Sequence, residues 1–363
     1  MLFLLALSPL WAAAPPTSPK WADGLVEQLG DDDFNTREAA AKALDKAGGD
    51  AVPALRRGLQ SPDAEIRSRS LKIAKSIEKR TAAYFEALGL SVQRPGGRGR
   101  VEVVSCSQRD TSKLRDEHLS KLVGFPWLVN LDLYKANISD AGLHRLGALT
   151  HLEYLGLDET RITDRGLIWL SDLSRLETLN LSHTSISGTG LARMHGLLSL
   201  KELNISHTKV DAQTFQLAVE SLVRMEKLNR VSMQSIGIHN QSLNCLYKIR
   251  RPLRVDLSDN RQITDEGVAY LSKNEFIVGL GLVKTSITDQ ACKFLKQMPK
   301  LETVGLGTTK VTMSGMIELR ESSSIRHIGY LDLKLSEEQL EELKRSLPDR
   351  IGFNVFSYGR LSK

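Results

Sequence analysis

From Leu128 onward the leucines fall in a fixed rhythm. "LVNLDLYKANISDAGLHRLGALTH" is followed directly by "LEYLGLDETRITDRGLIWLSDLSR", and each block opens L-x-x-L-x-L. That alternation of apolar and polar positions predicts a short strand with one face buried. A turn follows, then an Ile or Val, a polar residue and a second apolar pair in G-L-x-x-L, spaced for a short helix. The period is 24 residues from Leu128 through Leu152 and Leu176 to Leu200. Further blocks begin at Leu228, Pro252, Ile277, Leu301 and Ile325, after extra residues around 211–227 and one near Arg261. A unit this short cannot bury its own apolar face, so successive units must stack into a continuous core.

The other positions of the unit follow from that stacking. Ser139, Thr163, Ser187, Thr264, Thr288, Thr312 and Ser336 stand just before each helix, placed to cap an orphan N–H of its first turn. Ser336 with Gln339 has capping-box spacing. The pairs Leu143/Leu146, Leu167/Leu170 and Leu243/Leu246 point back from the helices onto the strand leucines. Thr160, Thr184, Thr208, Thr285 and Thr309 form a ladder in the turn, where hydroxyls can satisfy backbone groups that no sheet partner reaches.

Before residue 100 the pattern changes to helical. Leu25 and Leu29 recur as Leu55 and Leu59, and Asp33/Arg37 as Asp63/Arg67. The Asp-to-Arg spacing suits a local ion pair, Ser61 and Pro62 suit the N-cap and first position of a helix, and Ile66, Ile73, Ala74 and Ile77 form an apolar stripe. The run "RPGGRGR" then reads as a linker. The expected organisation is an N-terminal targeting segment at 1–20, a helical block at 21–80, a linker at 81–100 and the repeat domain at 101–363.

"FNTREAAAKALDKAGGDAVPALRRGLQSPDAEIRSRSLKIA" resembles HEAT-like repeats, including the phycobilisome-lyase type. The later blocks resemble leucine-rich repeats. "ITDRGL", "ITDEGV" and "ITDQAC", starting at 162, 263 and 287, are similar to the subclass found in F-box-associated proteins and bacterial relatives. No F-box is present, so the resemblance implies the fold and not a ubiquitin role. It implies an α/β architecture: a right-handed solenoid with a parallel sheet on the concave face and helices outside, preceded by a small all-α HEAT-like block. It further implies that strand positions between the leucines line the concave face as the binding surface. The expected binding residues are Asn130, Asp132, Tyr134, Tyr154, Asp158, Asn180, Glu202, Asn204, Arg230, Arg254 and Asp256, with His183 and His207 just outside the strands. Tyr and Arg are the types enriched at interface hot spots.

Composition changes this picture little. The hydrophobic fraction of 41% and charged fraction of 25% are those of a folded domain, and the net charge of +6 permits an anionic partner. "MLFLLALSPLWAAAPPTSPKW" reads as a secretory signal peptide, an apolar run ending in small residues, which places the chain outside the cytoplasm. It is shorter than the ~20 apolar residues of a spanning helix, and no later segment resembles one. Cys106, Cys245 and Cys292 form no CxxC pair and read as small apolar fillers. No GxSxG, HExxH, phosphate-binding or dinucleotide-binding motif occurs, so no enzyme and no cofactor are expected. The expected function is macromolecular recognition, most simply of a protein, with nucleic acid disfavoured by export. Two alternatives stand beside it. Arg67, Arg69, Lys72, Lys75, Lys79, Arg80, Arg94, Arg98 and Arg100 could bind an anionic polymer or surface. Glu159, His183 and His207, consecutive in one row, could hold a metal.

Overall fold

A computed structural model describes residues 20–95, 101–106, 113–194, 196–330 and 336–354. The targeting segment, apart from Lys20, lies outside the described residues, as do Arg98 and Arg100.

Four helices open the chain: α1 (Lys20–Gln28), α2 (Phe34–Ala47), α3 (Val52–Gly58) and α4 (Ala64–Ala87). The recurring Asp and Arg have roles other than the expected ion pair. Asp33 caps α2 by accepting the Thr36 N–H at 2.8 Å, and Asp63 caps α4 by accepting those of Glu65 and Ile66 at 2.7 and 3.1 Å. The cap of α4 is therefore Asp63 and not Ser61, and Pro62 precedes the helix. Arg37 donates to the carbonyls of Asp31 and Asp32, and Arg67 to those of Ser61 and Pro62. Each Asp thus satisfies helix donors while each Arg ties down acceptors of the loop before it, so both sides of the helix entrance are paired.

These helices enclose a small core of Val26, Leu29, Leu44, Leu55, Ile73 and Ile77. The boundary expected near residue 80 falls inside α4. Its first half faces that small core, and its last turns place Ala82 and Phe85 in the core of the repeats. Buried Glu78, between the two, accepts the Val101 N–H at 3.1 Å. Nor does the linker reading hold for residues 91–93, which form β1 (Ser91–Gln93). This strand pairs antiparallel with β2 (Val103–Ser105) and covers an edge that would otherwise stay open.

The remaining strands are β3 (Asn130–Asp132), β4 (Tyr154–Gly156), β5 (Thr178–Asn180), β6 (Glu202–Asn204), β7 (Arg230–Ser232), β8 (Leu253–Asp256), β9 (Ile277–Gly281), β10 (Thr303–Gly305), β11 (His327–Gly329) and β12 (Gly352–Asn354). They form one sheet in chain order, parallel from β2 to β12. Right-handed parallel connections are the rule in such sheets, because each crossover helix packs back only that way. Leu131, Leu155, Leu179 and Leu203, and beside them Leu133, Leu157 and Leu181, are fully buried under short helices carrying the expected leucine pairs. Cys106 and Cys292 fill leucine slots in the same core. Burial pushes the Cys292 thiol up to about 12 and that of half-buried Cys245 to about 11, so both are held as neutral thiols.

At five junctions adjacent repeats are locked by an aspartate at or just before the start of a helix. Asp140 accepts the Thr163 backbone N–H at 2.8 Å and the Thr163 hydroxyl at 2.6 Å. Asp116 holds Ser139, Asp164 holds Ser187, Asp265 holds Thr288 and Asp289 holds Thr312 in the same two-point way. Five capping hydroxyls then accept an N–H two residues on, at 3.2–3.4 Å. Thr264 departs from the expectation. Asn240 replaces the aspartate before it, donates to the Thr264 hydroxyl at 2.8 Å and leaves it without a side-chain cap role. The glycine in I-T-D-x-G has a matching cause: a Cβ at Gly166 would stand 2.5 Å from Oδ1 of Asp140. The threonine ladder behaves as expected, each hydroxyl donating to the carbonyl three residues earlier at 2.5–2.7 Å.

Candidate binding face

The strand register places the expected residues in rows on the open face of the sheet. Asn130, Tyr154, Thr178, Glu202, Arg230 and Arg254 are successive partners in one row. Asp132, Gly156, Asn180, Asn204, Ser232 and Asp256 make the next, which ends in the bare positions Gly281, Gly305 and Gly329. Tyr134 and Asp158 lie one pleat further along.

The N-terminal end of this face is acidic and tightly set. Asp132 accepts from the Ser105 hydroxyl and the Tyr134 N–H, each at 3.1 Å. Burial, then the charges of Asp132 and Glu159, push the Asp158 carboxyl up to about 6, against the pull of Lys135 and of its own backbone N–H. Burial, followed by Asp132 and Asp158, raises the Tyr154 phenol to about 12, so it remains a neutral hydroxyl. Gly156 sits between these groups, where a Cβ would come 2.8 Å from Asp132 Oδ1 and 3.2 Å from the Tyr154 hydroxyl. In mid-sheet the charges are matched: Glu202 faces Arg230 at 3.9 Å, and Arg254 reaches Glu302 at 3.3 Å.

Asp256 corrects the expectation of an exposed contact. Its residue exposure is 2%, and it accepts from the Gln234 amide at 2.5 Å and the Ser258 N–H at 3.0 Å. Gln234 covers it, whereas the corresponding Asp132 is left half-buried.

His183 and His207 are exposed on the rim, with rings stacked 4.2 Å apart at 13°. Burial on one side, and then His183, lower the His207 pKa, while Asp259 opposes this. The row they occupy has a backbone property that residue types did not reveal. Lys135, Glu159, His183, His207, Ser235, Asp259, Lys284 and Thr308 all lie at φ between 51° and 61°. Non-glycine residues rarely enter this region. The bend turns the chain out of each strand while the N–H groups from Lys135 to Lys284 in this row still donate to the next repeat, as His183 does to Ser206 at 2.9 Å. With side chains as different as Lys, His and Thr, this position has no composition signature.

The metal alternative fails on geometry. Glu159 turns away from the histidines to accept from the Tyr134 hydroxyl at 3.0 Å and to pair with Lys135 at 3.3 Å. No group of three such ligands is close enough to hold a metal among the described residues. The anionic-polymer alternative loses three of its cations: Arg67 is bound to loop carbonyls, Arg69 pairs with Glu38 and Glu65, and Arg80 pairs with Asp45.

Comparison with known proteins fits this architecture. Leucine-rich repeat families match residues 124–210 and 252–272, and HEAT repeats match residues 11–85. The chain is a leucine-rich repeat protein with an N-terminal HEAT-repeat segment. A search of curated proteins finds no match. Among solved structures, internalin C2 of Listeria monocytogenes str. 4b F2365 is similar at 19% identity and TM-score 0.38, over 63% of this chain and 80% of that one. An internalin designated inlF from the same organism is similar at 19% identity and TM-score 0.36, over 68% and 69%. Among the described residues no helix is long and apolar enough to cross a membrane.

Proposed function

We propose that this chain is an exported, non-enzymatic interaction protein that holds a protein partner on the open face of its sheet. The observation that carries the reading is the strand register. It sets half-buried tyrosines, amides and charges in straight rows on a sheet roughly 50 Å long at ~4.8 Å per strand. Such a length is comparable to a standard protein interface, and a preformed array saves the ordering cost that a loop would incur. Contacts concentrate on the N-terminal two-thirds, at Asn130, Asp132, Tyr134, Tyr154, Asp158, Asn180, Glu202, Asn204, Arg230 and Arg254, with His183 and His207 at the rim. Beyond them, glycines leave backbone in place of side chains. The run at 1–20 supports an extracytoplasmic setting.

The test is a cross-linking capture from the source organism's extracytoplasmic fraction, with each partner then measured as a purified protein. Replacing Tyr134, Tyr154 and Arg230 together by Ala should weaken the purified partner at least about a hundredfold, the scale of two or three hot-spot losses. Equal affinity of the triple variant would remove this patch as the binding surface.

A further inference from the structure

On the helix side of the first repeats, where they meet the HEAT segment, lies a cleft of about 710 Å³. Helices pack closely beside it, since a Cβ at Gly124 would collide with the Thr81 side chain. Its floor is apolar and buried, formed by Val52 from one side and Phe125, Leu128 and Leu149 from the other. Its polar wall carries half-buried Arg56, exposed Arg145 and the half-buried, neutral imidazole of His151. Arg175, just outside the lining, adds a third guanidinium whose charge reaches both Arg56 and His151.

What sets this place apart is the absence of matching carboxylates. Arg57, Arg69 and Arg80 each meet an acidic side chain, and Arg37 and Arg67 meet carbonyls. Among the described residues the side chains of Arg56, Arg145 and Arg175 make no ion pair and no hydrogen bond. Asp50 is the single carboxylate of the lining. Burial first, and then Arg175, bring Arg56 down to about 10; burial, then Arg56 and Arg175, bring His151 down to about 4. Cations gathered at a half-buried site without a counter-charge repel one another and lose hydration. An entering anion reverses both effects.

We propose that this cleft binds a small organic anion whose apolar or aromatic body rests on the Phe125–Leu149 floor and whose phosphate or sulfate group sits among Arg56, Arg145 and His151, with the charge of Arg175 adding to theirs from outside the lining. The volume is that of an ordinary small-molecule site. Two guanidinium forks suit a tetrahedral oxyanion, and the Thr150 hydroxyl holds Nδ1 of His151 at 3.2 Å, leaving Nε2 for the ligand. The site shares no residue with the open sheet face, so either reading can fail without the other.

Calorimetry on the full-length chain tests it, with 1-naphthyl phosphate and 1-naphthyl sulfate as probes and inorganic phosphate as the body-less control. One equivalent of either naphthyl ester should bind at least about tenfold more tightly than inorganic phosphate. Arg175→Glu, at an exposed position, and Arg56→Gln should each weaken that binding by about tenfold or more, and Arg67→Glu should leave it unchanged. Binding of the phosphate ester alone, or of the sulfate ester alone, would tell which oxyanion the site takes and would support the proposal equally. Three outcomes would overturn it: no saturable binding at millimolar probe, equal binding of naphthyl phosphate and inorganic phosphate, or unaltered binding by the Arg175 variant with its fold verified by circular dichroism.

Discussion

At five junctions of this solenoid a single carboxylate carries much of the register. Asp140 takes both the N–H and the hydroxyl of Thr163, so removing it orphans two donors at once. Asp140→Ala should cost about 1–3 kcal/mol in denaturant unfolding, whereas Asp140→Asn should cost much less. Asn240 already performs the second arrangement, receiving the Thr264 N–H at 2.9 Å and donating to its hydroxyl. Equal destabilisation by the two variants would show that the pairing contributes nothing. Asp158 offers a contrasting case on the open face. Its carboxyl titrates at about 6 against an ordinary 3.8, so the folded chain holds that proton more tightly than the unfolded chain. Its contribution to stability therefore rises as pH falls through 6 towards 4. Asp158→Asn should be more stable than the parent at pH 7, and the gap should close by pH 4. A gap of constant size across that range would refute the assigned titration.

At the scale of elements, helix α4 binds two cores together. Ile73 and Ile77 belong to the HEAT core, and Phe85, further along the same helix, is fully buried among the repeats. Phe85→Ala should therefore destabilise the repeat domain by about 3–5 kcal/mol, read as earlier loss of its far-ultraviolet transition on heating. Loss confined to the helical block would contradict a shared helix. The sequence made the strands, the helical leucine pairs and the threonine ladder legible, because a period repeated many times averages out local ambiguity. The end of α4 was not legible. The glycines of "RPGGRGR" draw the linker back to residue 81, although the helical spacing of Ile77, Ala82 and Phe85 never lapses. The left-handed row escaped for the opposite reason: backbone geometry there is imposed by the stacking of repeats, and the residue types do not record it.

For the whole molecule, the long sheet and the cleft behind it are two surfaces built by different logic. The sheet positions could be listed from the period alone, since register converts a sequence offset into a row in space. Which of them stay accessible could not, because Asp132 and Asp256 share an offset and differ only in what the neighbouring strand places over them. The cleft was wholly hidden. Arg56, His151 and Arg175 are distant in sequence, and only the packing of the HEAT segment against the first repeats brings their charges together.

The two-point clasp between an aspartate and the next capping hydroxyl also bears on how such a chain can change length. Each unit carries an acceptor for the unit after it and a donor for the unit before it, so an extra copy of residues 152–175 would bring both halves of its own joint. Gly188 is where that interchange stops. It stands where the aspartate should be, and the longer segment around Asp211 and Thr214 takes its place. Where the aspartate clasp is present, from Asp116 to Ser187 and from Asp265 to Thr312, whole units could be duplicated or lost without orphaning a donor, whereas the stretch between them is custom-built.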